Sequence, residues 1–130
     1  MKTLLTTFTL VFTLMFSSTS FAEWFEVTRS ERGDTLYLDM DRIRQHDGYF
    51  YYWDLTDYLR PTEYGYLSIS SYNQGDCKLF RSKVLSVIMH KQPMGRDVGE
   101  TYSPENPEWE YPRPGSANEA ILQAVCRVTE

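Results

Sequence analysis

Two cysteines, Cys77 and Cys126, limit the folds available to this 130-residue chain more than any other feature. They are 49 residues apart, and Cys126 lies close to the C-terminus. A bond between them would tie the last segment of the chain to its middle. Such a bond persists only in an oxidising compartment, so the destination of the chain has to be considered first.

The first 22 residues have the pattern of a secretory signal peptide. Lys2 gives a positive start, an apolar stretch runs from Leu4 to Phe16, and Ser20-Phe21-Ala22 has small residues at both positions that direct cleavage. Threonines interrupt this stretch, which is already shorter than the roughly 20 apolar residues of a spanning helix. We therefore predict cleavage after Ala22 and no membrane span afterwards. No lipid anchor is expected, because no cysteine stands at the cleavage point.

In an exported chain, an even number of cysteines is expected to form disulfides. The chain-entropy model assigns about 4 kcal/mol to a loop of this length, a large share of the stability of a small domain. The alternative is a redox-active or metal-binding pair. Neither Cys77 nor Cys126 has a second cysteine or a histidine at ligand spacing, which argues against it.

The charge distribution excludes two classes of partner. Loss of Lys2 with the leader changes the formal net charge from −5 to −6, and acidic and basic side chains are mixed along residues 23–130 without a basic cluster. Nucleic acid and anionic membrane surfaces attract basic patches, so neither is an expected partner. Residues 23–130 have room for one modest core and therefore for one domain.

In the first half of this domain, apolar and polar residues alternate as they do in β-strands. A hairpin is predicted from Glu23–Thr28 and Thr35–Asp39 around a turn at Gly33, whereas Met40–Gln45 suits either a helical turn or an irregular strand. Asp47-Gly48 favours a type I′ turn into the aromatic strand Tyr49–Tyr58. We expect its more apolar set to face the core: Tyr49, Tyr51, Trp53 and Leu55.

The second half predicts two further strands. Leu59–Gly65 is a loop, Tyr66–Tyr72 is a strand with one wet face, and Asn73–Asp76 has turn chemistry. A long strand then runs from Cys77 to Lys91. Its apolar residues occupy both odd-numbered and even-numbered positions along the strand, which predicts a bulge or a bend near Ser82.

The C-terminal part predicts a loop and then a helix. Prolines and glycines exclude a regular element from residues 92–115. Ser116 and Glu119 form a capping box before the apolar stripe of Ala120–Thr129, which contains Cys126. The predicted fold is thus α+β: an antiparallel sheet of about five to six strands, with one C-terminal helix packed on a face and joined to it by the disulfide.

Several short motifs follow one another along the mature chain: Trp24, Tyr37-Leu38-Asp39, Asp54-Leu55, Gly75-Asp76-Cys77, Met94-Gly95, Trp109 and Ala124-Val125-Cys126. This order resembles the bacterial surface-adhesin protein E family over nearly the whole mature chain. The resemblance implies a sheet-plus-helix domain, a Cys77–Cys126 disulfide and export by a Gram-negative bacterium. The namesake of the family is a surface adhesin that binds host extracellular-matrix and plasma proteins, with haem binding also attributed to it.

No sequence motif indicates an enzyme. The chain has no Gly-Xaa-Ser-Xaa-Gly elbow, phosphate loop or His-Glu-Xaa-Xaa-His sequence, and His46 and His90 form no paired motif. No cofactor is predicted. The candidate ligands for haem or copper are Met89, His90 and Met94, since thioether and imidazole groups suit both metals. Met89 also continues the apolar face of a strand, which favours a place in the core.

Two segments are candidates for partner contact. The aromatic run Tyr49–Trp53 suits either stacking against a flat ligand or packing in a sheet, and packing is the interpretation that we adopt. Arg96, Trp109 and Tyr111 are the predicted contact residues, because binding residues concentrate in loops on a rigid scaffold.

The sequence therefore predicts an exported, non-enzymatic binding module of the bacterial envelope with a protein partner. Its expected location is the periplasm, the cell surface or the medium. A haem-binding or copper-binding protein is the alternative, and an enzyme of unknown class is the second alternative.

Overall fold

Seven strands and one α-helix make up the computed structural model, which describes residues 23–128. In chain order they are β1 (Phe25–Arg29), β2 (Thr35–Leu38), β3 (Arg44–His46), β4 (Tyr49–Asp57), β5 (Ser68–Asp76), β6 (Arg81–His90), β7 (Glu100–Tyr102) and α1 (Ala117–Val128), with 3₁₀ turns at Met40–Arg42 and Pro93–Gly95. The predicted signal peptide, residues 1–22, lies outside the described residues. Within residues 23–128, no helix has the length and apolar character that crossing a membrane requires.

All strand pairs of the sheet are antiparallel. The order is β1-β2-β4-β5-β6-β7, and the short β3 pairs with the free end of β4. The predicted type I′ turn between β3 and β4 is confirmed by positive φ angles at Asp47 (52°) and Gly48 (83°). Met40–Gln45 combines both expectations, a 3₁₀ turn followed by β3. The predicted α+β class is confirmed, with one strand more than the upper expected number.

The core lies between the sheet and α1. Leu38 and Val125 are fully buried there, and Phe50 and Tyr52 lie beneath the helix. The predicted orientation of β4 is therefore wrong, because its even-numbered side chains face the helix. Gly75 explains the outcome: a Cβ at that position would stand 3.0 Å from the Tyr52 ring and 3.3 Å from Leu122, so its absence makes room for both.

The turn predicted at Asn73–Asp76 is also wrong. Strand β5 continues through these residues to Asp76, and the turn comes at residues 77–80, where Phe80 has φ of 52°. The carboxylate of Asp76 organises this turn by accepting the N–H groups of Lys78 (3.1 Å) and Leu79 (3.3 Å). Burial opposes the charge of Asp76, yet these N–H groups and the Arg81 guanidinium hold the pKa of its carboxyl below the usual range.

A bulge in β6 occurs three residues later than predicted. Tyr72 pairs with Ser86 and Asn73 with Val84, so Leu85 is the extra residue, and Ser82 is regularly paired with Gly75. Residues 92–115, predicted to have no regular element, contain the Pro93–Gly95 turn and strand β7. Strand β7 forms because the outer edge of β6 offers unpaired backbone groups, as in the pairing of Ile88 with Thr101.

Helix α1 begins directly after the predicted cap residue Ser116, three residues before the apolar stripe. The Ser116 hydroxyl accepts the Glu119 N–H (3.2 Å), while the Glu119 carboxylate accepts the N–H of Gly115 (3.0 Å) instead of that of Ser116. The predicted Cys77–Cys126 disulfide is confirmed, with Cα atoms 5.7 Å apart. It links the β5–β6 turn, rather than the start of a strand, to the last turns of α1.

Candidate functional site

The face of the sheet opposite α1, here called the helix-free face, carries a line of half-buried aromatic rings. Trp53 of β4 contacts Tyr72 of β5 with ring centroids 5.1 Å apart, and Tyr51 lies 6.2 Å from Tyr72 on the other side. Alternation along β4 and β5 puts these rings on one face. Aromatic residues suit such a half-buried pleated surface.

Trp109 extends this line beyond the end of β4. Its ring lies 5.4 Å from that of Tyr49, and paired backbone hydrogen bonds between Ser82 and Glu110 (3.0 and 2.8 Å) hold its loop against β6. We call the resulting set of rings the aromatic row: Tyr49, Tyr51, Trp53, Tyr72 and Trp109.

Cationic side chains surround the Trp109 end of the aromatic row. The Arg81 guanidinium and the Lys83 ammonium lie 4.2 and 4.4 Å from the centre of the Trp109 ring. Arg81 is oriented by its 3.0 Å ion pair with Asp76, and Arg44 lies directly opposite Tyr51 on β3. This end of the face is therefore basic, although the chain as a whole carries a formal charge of −5.

The other end of the helix-free face contains a cleft of about 260 Å³, here called the Arg42 cleft. The 3₁₀ turn after Asp39 positions Arg42, whose guanidinium lies 5.7 Å from the centre of the Trp53 ring. Trp24, Ile88, Met94 and Val98 supply apolar walls.

His90 lies beneath the Arg42 cleft and is 4% exposed. Its Nε2 lies 3.0 Å from the Ser70 hydroxyl, and its Nδ1 lies 3.0 and 3.1 Å from the carbonyl and a carboxylate oxygen of Asp97. Since Asp97 offers only acceptors, Nδ1 donates to it, and Nε2 forms a second hydrogen bond with the Ser70 hydroxyl. Both nitrogens are thus occupied, and coordination of a metal by His90 would require one of these bonds to break.

The proposed haem or copper ligands are separated by the sheet. His90 and Met94 line the Arg42 cleft, whereas Met89 alternates to the other face, paired with Ile69 and Glu100. Among residues 23–128 there is no group of three or more His, Cys, Asp or Glu side chains that could hold a metal ion.

The three predicted contact residues lie at two different ends of the molecule. Trp109 belongs to the aromatic row, and the exposed Tyr111 interacts with Arg81 beside it. Arg96 is exposed at the end of the Pro93–Gly95 turn, near the Arg42 cleft. The odd-numbered rings of the aromatic run on β4 form most of the aromatic row, whereas Phe50 and Tyr52 pack beneath the helix.

Sequence reasoning missed Arg42, Tyr72, Arg81 and Lys83 as site residues. The alternation of β4 and β5 was visible in the sequence, but their register was not. Lys83 could have been recognised from the sequence, because it is a charged residue at a position where the alternation of β6 would place an apolar one.

The segment 93–99 folds closely over His90, and Gly99 makes this approach possible. Gly99 has φ of +72°, and a Cβ there would lie 2.7 Å from the Met89 carbonyl oxygen and 2.9 Å from His90 Nδ1. Gly99→Ala should therefore lower the free energy of unfolding by about 2 kcal/mol, measured by urea denaturation. Gly48→Ala is the matched control, since its φ is +83° with open space around it, and should cost about 1 kcal/mol. Equal losses in the two variants would show that the segment is not closely packed.

The fold and the site together define a class of protein: a small α+β domain whose disulfide-linked helix covers one sheet face and leaves an aromatic face open. The chain belongs to the surface-adhesin protein E family, whose family model matches residues 24–127. This match confirms the resemblance that the sequence motifs indicated.

Solved structures have the same architecture. Crystal form II of Haemophilus influenzae protein E is 12% identical, with a TM-score of 0.60 over 84% of this chain and 91% of that chain. Protein E from non-typeable Haemophilus influenzae is 11% identical, with a TM-score of 0.55 over 85% and 79%. At this level of identity the comparison shows the fold alone. No curated protein matches the chain.

Proposed function

We propose that this protein is an exported, non-enzymatic binding module of the bacterial envelope that binds a partner protein on the aromatic row. The observation that carries the proposal is the row itself, five half-buried rings on the sheet face that α1 leaves open. Membership of a family described as surface adhesins supports a binding role. Tyrosine, tryptophan and arginine are also the residues most enriched at the energetic centres of protein interfaces.

The charges beside the row indicate the partner's chemistry. Arg44, Arg81 and Lys83 flank the rings, and of these only Arg81 is paired with a carboxylate among residues 23–128. We infer that the partner offers an apolar patch bordered by acidic side chains. Opposite charges along the border of the two surfaces would favour one orientation of the complex. Trp109 and Tyr111 are the proposed contacts at this end, and Arg96 would take part only with a partner that spans the whole face.

Replacing Trp109 tests the proposed surface. A photo-crosslinking residue introduced at Tyr51 should capture the partner in cells, and the partner identified by mass can then be used for affinity measurements. Trp109→Ala should weaken binding at least tenfold, because it removes the ring and leaves Lys83 without its aromatic contact. Lys83→Glu should weaken binding most at low salt.

Tyr64→Ala provides the matched control for Trp109→Ala. Tyr64 is 71% exposed in the loop before β5, away from the aromatic row, and its removal should leave the affinity unchanged. Equal affinity in Trp109→Ala and the original protein, or stronger cross-linking from position 64 than from position 51, would contradict the proposal.

The location is a separate part of the proposal: cleavage after Ala22 and residence in the periplasm or at the cell surface. Protease treatment of intact cells, with a known periplasmic protein as control, distinguishes the two places. Digestion of this protein while the control survives indicates the cell surface and a partner outside the cell. Survival of both indicates a periplasmic partner.

A further inference from the structure

We propose that the Arg42 cleft binds a small monocarboxylate, in which one aromatic or branched apolar group carries a single carboxylate. The cleft lies at the opposite end of the helix-free face from Trp109. The inference therefore does not depend on the protein partner proposed above.

Arg42 is held in one orientation by its neighbours. Asp39, only 2% exposed, accepts the Nε–H of Arg42 with one carboxylate oxygen and the N–H of Asp41 (3.2 Å) with the other. The Trp53 ring supports the guanidinium from below at 5.7 Å. An arginine fixed in this way loses little conformational entropy when it binds a ligand.

The outer edge of the same guanidinium is available to a ligand. The Arg42 side chain is 48% exposed, and within residues 23–128 the only hydrogen bond it donates is the one from Nε to Asp39. The two Nη groups can therefore form paired hydrogen bonds with a carboxylate, the geometry in which arginine binds most strongly.

Three other polar side chains of the cleft, those of Ser70, His90 and Asp97, already have hydrogen-bond partners. Ser70 and the buried His90 bond to each other, and the Asp97 carboxylate accepts the N–H of Lys91 (3.0 Å) and faces His90 (3.1 Å). Among the residues that line the cleft, Arg42 supplies the only guanidinium or ammonium group, so it is the cationic donor offered to a ligand. The negative charge of Asp97 would repel a second acidic group, which limits the ligand to one carboxylate.

The apolar walls set the size of the remaining group. Trp24, Trp53, Ile88 and Met94 enclose about 260 Å³, below the roughly 300 Å³ at which pockets for drug-sized molecules begin. A single aromatic ring or branched aliphatic group suits this volume. Val98, 93% exposed at the mouth, can contact whatever projects from it.

This chemistry has two sources: a free organic acid, or the C-terminal apolar residue of a peptide. We would titrate the full mature protein, carrying Trp109→Phe, and follow the fluorescence of Trp24 and Trp53. The probes are phenylacetate and its amide, together with an acetyl-Gly-Gly-Phe peptide with a free or an amidated C-terminus. Each free carboxylate should bind at least tenfold more tightly than its amide. If phenylacetate and the peptide with a free C-terminus both bind, a free organic acid is sufficient as the ligand. If only the peptide binds, the ligand is the C-terminus of a protein.

Arg42→Gln should weaken carboxylate binding at least tenfold, and Arg127→Gln, in the exposed last turn of α1, should have no effect. Because Arg42→Gln leaves the buried Asp39 without its cationic partner and could disturb the local fold, Val98→Asp provides a second test. It adds a negative charge at the exposed mouth without touching the core, and it should also weaken binding. Equal affinity for acids and amides, or binding unaffected by both cleft variants, would overturn the inference. Neither result bears on the Trp109 experiment.

Discussion

Removal of the Cys77–Cys126 bond is expected to lower the free energy of unfolding by about 4 kcal/mol. The bond closes a 49-residue segment, and in the chain-entropy model the cross-link acts by restricting the unfolded chain. A domain of this size has only about 5 to 15 kcal/mol of net stability, so the loss is a large fraction of the total. The effect should concentrate at α1, which contributes Ile121, Leu122 and Val125 to the buried residues.

Urea denaturation of the mature protein with and without reductant measures this loss. The Cys77→Ala/Cys126→Ala double variant should match the reduced protein and should not respond to reductant. Intact mass after alkylation supplies an independent check, because the exported protein should contain no free thiol. Coincident denaturation curves for oxidised and reduced protein would show that packing of α1 alone holds the domain together.

Asp54→Asn should stabilise the protein by about 2 to 3 kcal/mol at pH 8 and have almost no effect near pH 4. Asp54 lies on the helix side of β4, where burial raises the pKa of its carboxyl from 3.8 to about 7, despite a hydrogen bond from Asn73 (3.0 Å). The folded state therefore holds a proton that the unfolded state releases between about pH 4 and pH 7. Stability from this group falls as the pH rises through that window.

The size of the Asp54 effect follows from the shift. A pKa that rises from 3.8 to about 7 corresponds to about 4 kcal/mol, at 1.36 kcal/mol for each pKa unit. We expect a smaller change in the free energy of unfolding, because the Asp54 side chain keeps some contact with water. Asparagine retains an acceptor for the Asn73 amide and carries no charge at any pH. The contribution of this position to the free energy of unfolding should therefore not change with pH.

Denaturation at pH 4, 5.5, 7 and 8 separates Asp54 from other carboxyls. The lowered pKa values of Asp76 and Asp97 affect stability in the opposite direction, below about pH 4. Glu26→Gln is the matched control, since its side chain is 53% exposed at the edge of the sheet, and it should keep the slope of the original protein. An Asp54→Asn profile parallel to that of the original protein would mean that the carboxyl is ionised in the folded state at neutral pH.

The likeness to the solved protein E structures extends to the fold alone. With 11 to 12% identity to the solved protein E structures, the residues of the aromatic row and of the Arg42 cleft have to be tested in this chain itself. Trp109 and Arg42 lie at opposite ends of one face, so the two surfaces can be tested by separate substitutions.

Local chemistry accounts for the features that the sequence predicted correctly. The Asp47-Gly48 turn follows from the backbone freedom of two neighbouring residues, and the start of α1 follows from the Ser116 cap. The disulfide followed from the cysteine count and the expected export. Each of these signals lies within a few residues or depends on composition, so it can be found without knowledge of the fold.

Contacts between distant residues decided the rest. The more apolar side of β4 was expected in the core, but Gly75, which pairs with Phe50 across the β4–β5 ladder, leaves the space that α1 occupies. Trp109 became part of the aromatic row through its neighbour's pairing with Ser82. The sequence by itself determined the α+β class, the C-terminal helix and the cross-link, whereas the tertiary structure decided which face of the sheet was covered. The physical reason is that covering a face depends on register and on space between strands, which residues far apart in the chain create together.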